Sequence, residues 1–186
     1  MGLPKAVLLD RDGVINFDSP DYILSPEEWR PIPGSLEAIG RLSAAGIAVA
    51  ICSNQSGLGR GMMSQKTFQA IHAKMMLAIE EKGGEIGYVA YCPHGPDDAC
   101  DCRKPLPGLL EEALGSLNVA APDALMIGDS TRDVQAAHAA GVSACLVQSG
   151  YGDADKILEK SRELMPDIAF YPDLASAVDA LLKDRP

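Results

Sequence analysis

The feature that most constrains the fold is the apolar run from Ala6 to Leu9, which ends abruptly in Asp10-Arg11-Asp12-Gly13. An unbroken apolar run of this kind is typical of a strand covered on both faces of a parallel sheet. Open α/β sheets bind ligands in the crevice outside the carboxyl ends of their strands. We therefore expect a buried strand that delivers Asp10 and Asp12 to a crevice. In the alternative interpretation, the two aspartates only cap backbone amides of a turn.

Apolar segments alternate with helical patterns along the rest of the chain. Further strands are predicted at 47–52, 86–91, 124–127, 144–147 and 168–170, and helices begin near 35, 64, 107, 131, 155 and 174. This alternation predicts an α/β fold, a three-layer Rossmann-like sandwich with a mostly parallel central sheet. The length of 186 residues suits a single domain over 1–186, and no insertion is large enough for a separate cap domain. The crevice should therefore be fairly open.

The net charge of the chain limits its partners. A formal charge of -10 argues against contact with nucleic acid or an anionic membrane, because both require clustered cationic surface. An anionic substrate would require a metal ion and local basic residues to reverse the field in the site. No segment is long and apolar enough to span a bilayer, and the start of the sequence lacks a signal-peptide pattern, so we expect a cytoplasmic protein.

Chemically active side chains follow four of the predicted strands. They are Asp10 and Asp12, Ser53 and Asn54, Arg103 and Lys104, and Asp129 and Asp133. Because the carboxyl ends of parallel strands share one edge of a sheet, these groups should converge. Several carboxylates near one point require either a shared proton or a cation. Oxygen ligands favour Mg²⁺, which also leaves room for water and a substrate phosphate.

A second cluster lies in the loop after the strand at 86–91. Its candidate metal ligands are Cys92, His94, Cys100 and Cys102. Three cysteines and one histidine form a complete tetrahedral Zn²⁺ shell with no position left for water, which predicts a structural site. Metal ligation would order this Gly- and Pro-rich loop and hold Arg103 and Lys104 at the crevice. The alternatives are a Cys100/Cys102 redox pair and solvent-exposed thiols.

The strand-end motifs resemble those of a known family. Asp10-x-Asp12-Gly13-Val14, Ser53-Asn54, Lys104-Pro105 and Gly128-Asp129-x-x-x-Asp133 resemble, in order, the four motifs of the haloacid dehalogenase (HAD) superfamily of phosphatases. The resemblance implies that Asp10 is a nucleophile and that Asp12 is a general acid and base. It also implies that Ser53 and Lys104 hold phosphoryl oxygens.

The same resemblance implies a magnesium site. Mg²⁺ would be held by the carboxylates of Asp10 and Asp129 and by the backbone carbonyl of Asp12. Asp133 stands at the start of a predicted helix. It either caps that helix or orients its neighbours, or it ligates the metal directly.

The cysteine loop narrows the resemblance. Cys-Pro-His followed by Cys-x-Cys-Arg-Lys-Pro is similar to the branch that contains bacterial heptose bisphosphate phosphatases and histidinol-phosphate phosphatases. The segments 10–16 and 54–61 are more similar to the heptose enzymes, which implies hydrolysis of the 7-phosphate of a heptose 1,7-bisphosphate. Nothing in the sequence demands more than a monomer. The short spacer between His94 and Cys100 is instead typical of the histidinol-phosphate group. A catalytically silent phospho-ligand binding protein is the alternative of another class.

The branch also implies a set of substrate-recognition residues. They are Asp18, Tyr22, Asn54, Gln55, Ser56 and Arg103, together with Ser130, which stands where some heptose enzymes have a lysine. Arg60 and Arg103 are candidates for a second phosphate. In the alternative interpretation, these two arginines form surface ion pairs.

Overall fold

A parallel six-stranded sheet forms the centre of the protein, for which the computed structural model describes residues 2–183. Its strands are β1 (Ala6–Leu9), β2 (Ala48–Asn54), β3 (Tyr88–Cys92), β4 (Ala124–Gly128), β5 (Ser143–Val147) and β6 (Ala169–Tyr171). The spatial order is β3-β2-β1-β4-β5-β6. The chain changes direction across the sheet between β1 and β4, and a crevice outside such a switch point is where open α/β sheets bind ligands.

Helices cover both faces of the sheet. They are α1 (Ser35–Ala44), α2 (Ser56–Gly59), α3 (Gln65–Glu80), α4 (Gly108–Leu117), α5 (Thr131–Ala140), α6 (Ala154–Arg162) and α7 (Leu174–Leu182), with a 3-10 turn at Ala121–Asp123. This arrangement confirms the predicted three-layer sandwich. None of the described helices is both long and apolar enough to cross a membrane.

Strand β1 shows why a continuous apolar run was needed. Val7 and Leu9 point into the hydrophobic cluster that contains residues of α1, α3 and α7, whereas Ala6 and Leu8 point into the cluster that contains residues of α4 and α5. All four side chains are fully buried. Successive residues of a strand face opposite sides of the sheet, so a strand with helices on both sides must be apolar at every position.

The carboxyl end of β2 differs from the sequence prediction. The predicted strand stopped at residue 52, but Ser53 and Asn54 continue it by pairing with Tyr91 and Cys92 of β3. Polar side chains at these two positions suggested a loop, yet their backbone completes the parallel ladder. The glycine-rich segment that follows forms the short helix α2. Gly59 is required in α2, because a Cβ atom there would overlap the carbonyl oxygen of Pro93.

Candidate active site

A crevice of about 240 Å³ lies at the carboxyl ends of the central strands. Most of the predicted site residues line it: Asp10, Asp12, Asp18, Tyr22, Asn54, Gln55, Ser56, Arg103, Lys104, Asp129, Ser130 and Asp133. The convergence of strand ends expected from the sequence is therefore present. The turn-capping interpretation of Asp10 and Asp12 does not account for this convergence, since both carboxylates face the crevice.

Two predicted residues are placed differently. Ser53 is 3% exposed and lies outside the set of described residues that line the crevice, with its hydroxyl accepting a hydrogen bond from Gln55 Nε2 at 2.8 Å. Arg60 is exposed and also lies outside that set. Sequence reasoning missed several lining residues: Arg11, Ser19, Ile23, Met63, Arg132 and Tyr151.

Lys104 is a buried cation at the floor of the crevice. Its ammonium group lies 3.0 Å from Asp10 Oδ2 and 2.6 Å from Asp133 Oδ1, and it donates to the carbonyl oxygen of Cys52 at 2.7 Å. Its backbone is fixed by Asn54, whose side chain accepts from the Lys104 N–H at 3.0 Å and donates to the Lys104 carbonyl at 2.9 Å. Asn54 therefore positions the lysine, and both polar ends of its amide are occupied.

Three carboxylates lie near this lysine, and their surroundings shift their pKa values in different directions. Burial raises the pKa of Asp10 to about 7, although Lys104 opposes the shift. Burial and the charges of Asp133 and Asp10 raise the pKa of Asp129 to about 8. Burial would also raise the pKa of Asp133, but Lys104 and two hydrogen bonds from Ser130 prevail and lower it. Asp133 is therefore the permanent anion that pairs with the lysine.

A divalent cation fits the remaining negative charge. One carboxylate oxygen from each of Asp10, Asp129 and Asp133 lies within 4.8 Å of the others. The raised pKa values of Asp10 and Asp129 show that both would gain from a neighbouring positive charge. An all-oxygen donor set of this kind suits Mg²⁺.

Asp129 is held in place by two glycines. A Cβ atom on Gly13, whose φ is +80°, would lie 2.5 Å from Asp129 Oδ2, and a Cβ atom on Gly150 would overlap the same oxygen. Both backbones thus approach the carboxylate more closely than any other residue type would allow. Gly150 could not be predicted, because nothing in the sequence around a loop glycine reveals which side chain it contacts.

Asp133 has both of its carboxylate oxygens occupied. Oδ1 accepts from Lys104, and Oδ2 accepts from the backbone N–H of Ser130 at 3.0 Å and from its hydroxyl at 2.5 Å. This geometry matches the orienting and capping alternative at the start of α5. Ser130 lines the crevice, but its hydroxyl donates to Asp133.

Asp12 accepts hydrogen bonds from three side chains. Arg11 binds both of its oxygens at 2.8–3.0 Å, Gln55 Nε2 donates to Oδ2 at 2.8 Å, and Asn16 Nδ2 donates to Oδ1 at 2.8 Å. Arg11 is only 5% exposed. Gln55 also donates to Ser53, so it links the two strand ends rather than projecting freely towards a substrate.

The four ligands of the cysteine loop have the geometry of a zinc site. Zn–S and Zn–N bonds of about 2.3 and 2.0 Å place tetrahedral sulfurs ~3.8 Å apart and sulfur and nitrogen ~3.6 Å apart. His94 Nδ1 lies 3.4 Å from the sulfurs of both Cys92 and Cys102, and the sulfurs of Cys92 and Cys100 lie 3.9 Å apart. All five cysteines are free thiols. The cluster could therefore hold zinc.

The cysteine loop is tied to the crevice through its neighbouring arginine. Arg103 donates from Nη1 to the carbonyl oxygen of His94 at 2.9 Å, and it also lines the crevice. Tyr22, which also lines the crevice, has a φ of 67°, a left-handed conformation that is uncommon for a bulky residue. Arg132 stands near the start of α5. Two arginines and a tyrosine are thus among the residues that line the crevice.

Comparison with known proteins agrees with this geometry. Residues 101–177 match a family model described as HAD-hydrolase-like. The chain is 45% identical over 179 residues to the D-glycero-beta-D-manno-heptose-1,7-bisphosphate 7-phosphatase of Pseudomonas putida, covering 96% of this chain and 99% of that protein. It is also 45% identical to the Pseudomonas aeruginosa protein of the same name over 177 residues, 95% of this chain and 97% of that protein.

A solved structure extends the similarity to the fold. The D,D-heptose 1,7-bisphosphate phosphatase of B. bronchiseptica, complexed with magnesium and phosphate, superposes with a TM-score of 0.90. Its sequence is 42% identical, and the alignment covers 97% of this chain and 99% of that one. The chain therefore belongs to the HAD-like phosphatase family that includes the heptose 1,7-bisphosphate 7-phosphatases.

Proposed function

We propose that this protein hydrolyses the 7-phosphate of D-glycero-D-manno-heptose 1,7-bisphosphate through a phosphoaspartate intermediate on Asp10. The main support for this proposal is that the buried Lys104 forms ion pairs with Asp10 and Asp133, next to Asp129 in the crevice. The substrate is inferred from relatives named for this reaction, which match almost the whole chain.

Asp10 is the proposed nucleophile. Its carboxylate oxygen attacks phosphorus, the bond from phosphorus to the sugar oxygen breaks, and the phosphoryl group is left on Asp10. Lys104 stabilises the charge on the phosphoryl oxygens, and Asp133 holds the lysine in place from 2.6 Å. Mg²⁺, held by Asp10, Asp129 and the backbone carbonyl of Asp12, would supply further neutralisation of the phosphoryl charge. A covalent intermediate divides one difficult displacement into two easier ones.

Asp12 is the proposed general acid and base. In the first step its carboxyl proton passes to the departing sugar oxygen, which leaves as the alcohol. In the second step the Asp12 carboxylate takes a proton from water, the water oxygen attacks phosphorus, and inorganic phosphate leaves Asp10 as a free carboxylate. Such assistance is typically worth about 10²–10⁴-fold in rate.

The zinc loop has a structural role in this proposal. Cys92, His94, Cys100 and Cys102 would occupy all four positions of the metal, so the ion has no site for substrate. The hydrogen bond from Arg103 to the His94 carbonyl connects the ordered loop to the crevice. Zinc would therefore fix the side of the entrance on which Arg103 lies.

Substrate recognition is assigned to the crevice rim. Asp18, Tyr22, Ser56 and Arg103 line the crevice. Arg103 is the better candidate for the second phosphate, because Arg60 lies outside the described lining residues. Ser53 is assigned to the phosphoryl group by family resemblance. Its hydroxyl would have to bind phosphate while still accepting from Gln55.

The decisive experiment measures phosphate release by the wild type and by Asp10→Asn. We expect Asp10→Asn to abolish turnover while the protein stays folded, whereas Asp167→Asn, at an exposed position outside the crevice, should keep full activity. A folded Asp10→Asn protein with near-normal turnover would refute the nucleophile assignment. Binding of phosphate without any turnover by the wild type would instead favour a silent binding protein.

A comparison of kcat/KM tests the substrate. Heptose 1,7-bisphosphate and histidinol phosphate should be measured on the same preparation. We expect a preference for the heptose bisphosphate. A preference for histidinol phosphate would overturn the substrate assignment and leave the mechanism intact.

A further inference from the structure

A series of buried hydrogen bonds links Trp29 in the hydrophobic core, through Asn16, to Asp12. These two residues have no role in the mechanism proposed above. Asn16 is fully buried, and its Nδ2 donates to Asp12 Oδ1 at 2.8 Å and to the Phe17 carbonyl at 3.0 Å. Trp29 is 2% exposed, and its indole Nε1 donates to Asn16 Oδ1 at 3.0 Å. Every polar atom of the Asn16 amide therefore has a protein partner.

The indole of Trp29 fixes which end of the amide faces Asp12. An indole N–H is a donor only, so the Asn16 atom that it contacts must be the oxygen. The amide nitrogen then necessarily points at the carboxylate. Without the indole N–H, the amide could rotate by half a turn and present its oxygen to Asp12, which is repulsive when the carboxyl group is ionised.

Trp29 is itself held rigidly. Its ring belongs to the main hydrophobic cluster, and its carbonyl accepts from Lys74 Nζ of α3 at 3.1 Å. The same ammonium lies 5.7 Å from the centre of the indole ring. Through Trp29, the position of Asn16 is thus fixed by contacts with the hydrophobic core and with helix α3.

Asp12 needs fixed neighbours because Arg11 also binds its carboxylate and competes to set the orientation of that group. Arg11, its neighbour in the chain, contacts both carboxylate oxygens through a charged fork. Charge-assisted contacts of this kind are about twice as strong as neutral ones. Asn16 binds the oxygen Oδ1, and Gln55 binds Oδ2. These two amides define where the carboxyl group points when it exchanges a proton with substrate.

We propose that Asn16 and Trp29 are positioning residues that orient the Asp12 carboxyl group for proton transfer to the leaving oxygen. The inference rests on the proposed function of Asp12 as general acid. Its consequence is selective: misorientation of Asp12 should slow only those substrates whose leaving oxygen must be protonated as the bond to phosphorus breaks. A sugar alkoxide needs that proton, whereas p-nitrophenolate and acetate leave as stable anions.

The test compares Trp29→Phe and Asn16→Ser with the wild type on three substrates. They are heptose 1,7-bisphosphate, p-nitrophenyl phosphate and acetyl phosphate. The quantity is kcat/KM, which reports the step in which Asp10 is phosphorylated and is not affected by later hydrolysis. We expect a loss of about 10–100-fold on the sugar phosphate and no more than about threefold on the other two. Asp12→Asn should show the same selectivity with a larger loss.

Ile39→Val is the matched control, because Ile39 lies in the same hydrophobic cluster as Trp29 and has no polar link to Asp12. It should affect the substrates equally and weakly. If Trp29→Phe lowered kcat/KM equally on all three substrates, its role would be purely structural. If it lowered kcat/KM on none of them, Asp12 would be positioned without Asn16 and Trp29. Either result overturns the inference. If Asn16→Ser does not fold, Trp29→Phe, which keeps an aromatic ring, decides alone.

The parallel Asp10→Asn measurement separates this inference from the proposed function. Full loss with Asp10→Asn and equal losses with Trp29→Phe would reject only the positioning role. A wild type that releases phosphate from none of the three substrates would overturn both.

Discussion

Replacing Lys104 with methionine should destabilise the protein as well as inactivate it. Methionine is close to lysine in shape but removes the ammonium group that lies between Asp10 and Asp133. The Lys104 side chain is 2% exposed and that of Asp133 is 1% exposed, so solvent cannot replace the lost partner. Removing one member of a buried ion pair typically costs about 3–5 kcal/mol, because the remaining charge stays buried without compensation.

The expected loss is large enough to measure directly. For a protein of this size, each kcal/mol lowers Tm by about 2–4 °C, which gives a fall of about 6–20 °C for Lys104→Met. Adding Asp133→Asn to Lys104→Met should recover part of the loss, since the double variant no longer buries the Asp133 charge. The recovery would show that the cost lies in an uncompensated anion and not in altered packing.

The assay is urea unfolding followed by circular dichroism in magnesium-free buffer. Chelators should be omitted, because they would also remove zinc. Lys156→Met is the matched control: Lys156 forms an ion pair with Asp153 at 3.0 Å, but its side chain is 80% exposed, and exposed pairs contribute little. A change below about 1 kcal/mol for Lys104→Met, or no recovery in the double variant, would refute the reasoning.

Three further predictions follow from the crevice and the cysteine loop. Burial raises the pKa values of Asp10 to about 7 and Asp129 to about 8, so Mg²⁺ must displace protons in weakly acidic buffer. Calorimetric Mg²⁺ affinity should therefore rise between about pH 6 and about pH 8.5, by up to about tenfold per pH unit for each proton displaced, and a flat profile would contradict this. Gly150→Ala should lower kcat about 100-fold by displacing Asp129, whereas Gly115→Ala, where a Cβ atom meets open space, should leave kinetics unchanged. Cys102→Ser should lose zinc, which metal analysis would measure, and should raise KM more than it lowers kcat. An unchanged KM in a zinc-free protein would contradict the inferred link between the cysteine loop and the crevice through Arg103.

The fold could be predicted because its six strands and its longer helices leave a recognisable pattern of apolar residues in the sequence. Continuous apolar runs marked strands that are buried on both faces, and the alternation with helices required parallel connections. The prediction failed locally at Ser53 and Asn54, which extend β2 through their backbones. Backbone pairing at a strand end is independent of side-chain polarity, so no hydropathy pattern reveals it.

Without the family resemblance, the residues of the crevice could be predicted only from the rule that strand ends converge at one edge of a parallel sheet. That rule led to Asp10 and Lys104, which do meet in the crevice. It gave no indication of Arg11, because a cation between two acidic residues has no periodic signature. The contact between Asn16 and Trp29 joins residues thirteen positions apart within an irregular segment, and only the folded loop brings them together.

The charges of the crevice explain how an acidic protein can accept an anionic substrate. Besides Asp18, Arg103 and Arg132, the crevice is lined by the four carboxylates of Asp10, Asp12, Asp129 and Asp133 and by two buried cations, Arg11 and Lys104. When these six groups are ionised, two negative charges remain among them, and a single divalent cation would balance those two charges. A phosphoryl dianion would otherwise enter a field of its own sign, and the net charge of -10 would strengthen the repulsion. Occupation of the site by the cation should therefore strengthen the binding of phosphate, because the cation removes the negative charge that would repel the phosphoryl group beside Asp10.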